Sequence, residues 1–86
     1  MVAPTTDEFR AELSEILRAA SRSGQSYIDV NAGSLHRRIG GYPTPFKRMP
    51  MCCAVMREML RLGDEVLAQP PSGKGASLTI RYRLPH

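Results

Sequence analysis

Lys47–Arg61, KRMPMCCAVMREMLR, is the stretch whose reading decides the fold. Pro50 stands where a helix begins, because a first-turn residue needs no amide hydrogen and proline's fixed φ already suits the helix. Gly63 stands just past the end, where a left-handed residue closes a helix. Between them Cys52, Val55, Met56, Met59 and Leu60 fall at the spacing of a core-facing stripe. On this pattern Cys52 is a small apolar core residue and Cys53 its neighbour at the helix edge. Lys47, Arg48, Arg57 and Arg61 lie at the edges and start. Such a helix suits a recognition helix, or an ordinary core helix with solvated arginines; the rest of the chain decides between them.

Upstream, Thr5-Thr6-Asp7-Glu8 spells a capping box, with the Thr5 hydroxyl and the Glu8 carboxylate each serving the other's backbone amide. Phe9, Leu13, Ile16, Leu17 and Ala20 then repeat at helical spacing, so this first helix needs a covering partner and is structural. Ser23-Gly24-Gln25 ends it. Tyr27-Ile28-Asp29-Val30 reads as a short strand. Asn31 or Ser34 caps a second helix, Leu35 to Ile39, with Leu35 and Ile39 facing inward and His36, Arg37 and Arg38 pointing largely outward. Gly40-Gly41 stops it, and Tyr42-Pro43-Thr44-Pro45 continues as a turn. Tyr42 and Phe46 serve as core anchors of this connection; the alternative is that one of them is exposed and stacks on a partner.

Downstream, residues 64–69 read as a strand and residues 70–77 as a loop. Leu78, Ile80, Tyr82 and Leu84 then alternate with Thr79, Arg81 and Arg83, which makes a hairpin with a glycine-rich, basic tip.

The chain has 86 residues and is read as one domain over its whole length, with a single modest core. It has no apolar run of membrane-spanning length and no signal-peptide pattern at its start, so the expectation is a cytoplasmic protein without a membrane partner. The net charge of +4 is unevenly placed. Residues 1–30 hold three arginines against five carboxylates, and the remainder holds nine Lys and Arg against three. Cations gathered in one part of a small protein suggest a polyanionic partner.

Little points to catalysis or a cofactor. The only two cysteines are adjacent, and the only histidines are His36 and His86, so neither a zinc pattern nor a disulfide framework is present. Ser72-Gly73-Lys74-Gly75 lies between two strands and lacks the first glycine of a phosphate-binding P-loop. His36 has no carboxylate partner by spacing. A cysteine nucleophile would need exposure and a lowered pKa, whereas the Met-rich helix points to burial. The expectation is therefore no catalytic residue, no metal and no cofactor.

Helix, short strand, helix, helix, strand, loop, strand is an order that resembles the winged-helix domain over residues 5–84. The likeness is one of topology and hydrophobic pattern, with an α+β fold of three helices, a short strand and a C-terminal β-hairpin wing as its implication. The segments LHRRIGGYP, RMPMCC and SGKGASLTIRYRLP bear a lesser resemblance to small bacterial proteins associated with nucleases of restriction or defence systems.

The winged-helix resemblance implies double-stranded DNA as partner, and a regulator or the DNA-reading subunit of a larger system as role. It places Lys47, Arg48, Met51, Ala54, Arg57, Glu58 and Arg61 on the reading helix or its lead-in. Ser72, Gly73, Lys74 and Gly75 become the wing tip, Arg81 and Arg83 the exposed face of the wing, and Arg37 and Arg38 the place where the second helix meets phosphate. Glu58 would repel phosphate, although it could accept a hydrogen bond from a cytosine amino group, and Met51 and Ala54 offer few hydrogen bonds. The connection between the second and third helices is longer than a helix-turn-helix uses. Tight specific binding by so small a module commonly calls for a homodimer or a protein partner. The alternative function is a protein-interaction module whose basic face meets an acidic partner; RNA binding is a third.

Overall fold

The capping box forms as the sequence spells it. Glu8 donates its amide to Thr5 Oγ1 and accepts the Thr5 amide at Oε1, both at 3.2 Å. It starts α1, Thr6–Arg22, which buries Phe9, Leu13, Leu17 and Ala20 along one face. The computed structural model describes residues 5–40, 48–71 and 75–86. The Tyr42–Pro45 turn, Phe46, Lys47 and the tip residues Ser72, Gly73 and Lys74 lie outside the described residues.

After α1 the order is β1 (Tyr27–Asn31), α2 (Ala32–Gly40), α3 (Met49–Glu58), β2 (Glu65–Ala68) and β3 (Thr79–Arg83). The fold is α+β, with three helices and a three-stranded antiparallel sheet in the order β1-β3-β2 among the described residues. Val30 sits opposite Ile80 and Ile28 opposite Tyr82. On the other side of β3, Val66 faces Ile80, and an irregularity follows between Val66 and Ala68. The alternation read in β3 holds: Leu78, Ile80, Tyr82 and Leu84 are buried. They join the helix stripes in one core, and the Tyr82 hydroxyl donates to the Met56 carbonyl at 2.7 Å.

Three expectations need correction. First, α2 begins three residues early, directly after β1. Asn31 Oδ1 accepts the Ser34 amide, while its Nδ2 donates to the Ala76 carbonyl and to Thr79 Oγ1. The first α2 amides are also served: Ala32 donates to the Leu78 carbonyl and Gly33 to that of Ala76. The lead-in to β3 thus caps the helix, which satisfies groups that a helix start leaves without partners. A side chain at position 33 would press on Asn31 and Ala76, at 3.1 and 3.2 Å.

Second, α3 is shorter than its sequence stripe. It closes at Met59, and Leu60 donates to the Arg57 carbonyl in a tightened turn. Arg61 therefore lies beyond the helix, Leu62 is fully exposed, and Gly63 takes φ +99 as the chain turns towards β2. The reason is Asp64, whose Oδ2 takes the Arg61 amide that another helical turn would have used.

Third, two residues read as peripheral are buried. Cys53 is wholly enclosed, with its Sγ donating to the Gly75 carbonyl at 3.4 Å. His36 is buried rather than outward, because its Nε2 accepts the Arg48 amide at 3.0 Å and its ring packs against Phe9. It serves as a cap at the start of α3, where no Arg48 side-chain cap forms.

Candidate nucleic-acid interface

The buried stripe of α3 leaves Arg48, Pro50, Ala54 and Glu58 exposed and Arg57 half-buried. Arg48 marks the N-terminus of the helix and Arg57 its last turn. Arg57 Nη2 donates to Gln69 Oε1 at 3.4 Å, which joins α3 to the foot of the β2–β3 connection. At that foot Gly75 packs on Pro70 so closely that a Cβ would lie 3.0 Å from its ring. The Gly75 carbonyl accepts the Leu78 amide as well as the Cys53 thiol. Gly75 is thus a packing position; it fixes the hairpin base against α3.

The other expected contact residues divide by what they already touch. Arg38 gives both Nε and Nη2 to Glu12 of α1, at 3.0 and 2.8 Å. Arg81 grips Asp29 of β1 through Nε and Nη2, at 2.8 and 3.1 Å, and lies 4.3 Å over the Tyr27 ring. The hydrogen bond from Arg81 holds the Asp29 carboxyl below its ordinary value. Arg37 is exposed on the last turn of α2, and Arg83 is exposed at the end of β3. Met51 is half-buried against the core and lines a shallow groove of about 500 Å³ with Thr6, Arg10 and Ala54. It stands at the seam between α3 and α1.

Glu58 changes meaning in this setting. Its carboxylate accepts from Arg10 Nη2 at 2.9 Å, and Arg10 also holds Asp7. The acidic residue feared as a phosphate repellent is matched by a cation from α1.

Asp64 is the residue that the sequence reading passed over. It accepts the Arg61 amide at Oδ2 and the Arg83 amide at Oδ1, at 2.8 and 2.7 Å, and it pairs with His86 Nε2 at 2.9 Å. Burial pushes this carboxyl up, but the two amides and the imidazole outweigh it and hold it below its ordinary value of 3.8. One carboxylate thereby brings the backbones of Arg61 and Arg83 together. The signal was present: an Asp directly after a glycine turn commonly accepts nearby amides.

The thiols are poorly placed for nucleophilic work. Burial, with a smaller contribution from Cys53, pushes Cys52 up to about 12, and burial also raises Cys53. Among the described residues no three of His, Cys, Asp and Glu gather as a metal set. No described Ser or Cys side chain hydrogen-bonds to the Asp64–His86 pair. No helix among the described residues is long and apolar enough to cross a membrane.

No family model, curated protein or solved structure matches this chain. The functional reading therefore rests on topology and surface chemistry. Arg48, Arg61 and Arg83 have exposed side chains that pair with no carboxylate among the described residues. Such groups are available to a polyanion at little cost, since no internal ion pair must first be broken.

Proposed function

We propose that this chain is a winged-helix DNA-binding protein of the cytoplasm, without catalysis of its own. The observation that carries the reading is the junction of α3 with the β2–β3 hairpin, at Arg57 and Gln69 in a sheet ordered β1-β3-β2. In a winged helix those two elements approach duplex DNA together. Arg48 and Arg57 then engage phosphate from the two ends of α3, and Arg83 does so from the hairpin. Lys47 and Lys74 lie outside the described residues; in the sequence they fall just before α3 and within the β2–β3 connection.

Between its ends α3 exposes Pro50 in the first turn and Ala54 at mid-helix, and neither side chain donates a hydrogen bond. Affinity on this reading comes mainly from phosphate contacts, with weak discrimination between base sequences. Its role is that of a regulator or of a DNA-reading subunit of a larger assembly. Titration of duplex DNA at several salt concentrations tests it. The expected result is binding at low salt whose logarithm falls linearly with the logarithm of salt concentration. Absence of binding at low salt would replace this reading with that of a protein-interaction module.

A further inference from the structure

A second surface shares only Arg61 with the residues considered for DNA. A groove of about 520 Å³ runs between the second half of α1 and the Pro85–His86 segment. Its apolar lining is Leu17, Met59 and Pro85, and its cationic lining is Arg18, Arg22 and Arg61. Charge is unbalanced there. Glu15 alone serves both α1 arginines, accepting from Arg18 at 2.9 Å and from Arg22 at 3.3 Å. Arg61 has no carboxylate partner among the described residues, because Asp64 takes its amide and pairs with His86 instead. Three guanidiniums thus stand around an apolar strip, and only Arg18 and Arg22 have a carboxylate, the shared Glu15.

We infer that this groove docks an acidic peptide segment of a partner protein. An apolar side chain of the peptide lies on Leu17, Met59 and Pro85, and its flanking carboxylates meet Arg18, Arg22 and Arg61. Nucleic acid is the weaker fit, since a phosphate backbone gains nothing from an apolar strip and protein–DNA interfaces are markedly polar. A peptide that alternates acidic and apolar residues uses both features, with the anchor supplying affinity and the rim charges speeding encounter. The pairing of Arg18 and Arg22 with Glu15 is exposed and weak, so a competing carboxylate displaces it readily.

Fluorescence anisotropy of the full chain with a short labelled peptide, leucines flanked by glutamates, tests the inference; a glutamate-only peptide of equal length is the comparison. The leucine peptide should bind and the glutamate-only peptide should bind more weakly. The double variant Arg18→Glu, Arg22→Glu should weaken the leucine peptide by roughly tenfold or more. Ser21→Trp, which fills the groove without changing charge, should weaken it as well. Circular dichroism melting checks that both variants are folded. Duplex affinity should be the same for Ser21→Trp as for the unaltered chain. The inference is overturned by any of three results: no peptide binding, equal binding of both peptides, or loss of duplex binding in Ser21→Trp. The last would make the groove part of a nucleic-acid face.

Discussion

Two groups of arginines in this small protein have opposite fates. Arg10, Arg38 and Arg81 are spent inside the molecule, each in an ion pair that joins two elements: α1 to α3, α2 to α1, and β3 to β1. Arg48, Arg61 and Arg83 hold no carboxylate among the described residues, and each lies at the end of an element or just beyond it. Net charge along the sequence does not separate the two groups. Arg81 and Arg83 are neighbours on the same face of β3, yet only Arg81 meets an aspartate across the strand pair. A cation count therefore overstates a binding face wherever the fold itself supplies anions. Arg10 makes the converse point, because it removes an apparent obstacle by matching Glu58.

Both groups depend on the same core, and breaking it gives the largest effect. Met56 is fully buried and its carbonyl accepts the Tyr82 hydroxyl. Met56→Ala should cost about 2–5 kcal/mol in urea unfolding. Leu60, only half-buried beyond the end of α3, should cost clearly less on the same change. Equal losses would show that α3 continues through Leu60 as its sequence stripe suggests.

A smaller effect belongs to Asp64, which holds together two arginines of the second group. Asp64→Asn keeps the shape but turns an amide nitrogen towards one of three donors, and should cost about 1–3 kcal/mol. The change also has a pH signature. The folded carboxyl titrates below 3.8, so its contribution is fully present above that value and is lost as pH falls through the folded pKa. Unfolding midpoints of the parent chain should therefore drop more steeply below about pH 4 than those of Asp64→Asn. Parallel acid limbs for the two proteins would mean that Asp64 is not held as described.

The smallest expected signal is at the cysteines, where native labelling should be nearly absent. With Cys52 pushed up to about 12 and Cys53 wholly buried, thiol reagents at neutral pH should react only as fast as the chain opens. Rapid labelling of Cys53 alone would return it to the helix edge, and so move the face that α3 presents.

The fold was legible where one local rule acted without competition. The capping box at Thr5 and Glu8, the α1 stripe and the alternation of β3 were each readable from spacing alone. The end of α3 was not, because Met59 and Leu60 continue a helical stripe that Asp64 cuts short from outside it. His36 misled for a related reason. Its polarity pointed outward, but the Arg48 amide supplies a buried partner twelve residues away in sequence. Of the candidate site, the residue types were readable and their commitments were not. Whether Arg38 or Arg83 is engaged depends on which carboxylate the packing brings near, and sequence spacing carries no record of Glu12 lying beside Arg38.

Salt-dependent duplex titration of four single variants tests the central claim most directly. Arg48→Ala and Arg83→Ala should each lower the magnitude of the salt slope by about 1, the mark of one lost phosphate contact. Arg38→Ala and Arg81→Ala remove the same charge from guanidiniums already committed to Glu12 and Asp29, and should leave the slope unchanged. Equal changes in all four would contradict the account, since binding would then follow total charge rather than a face defined by unpaired cations.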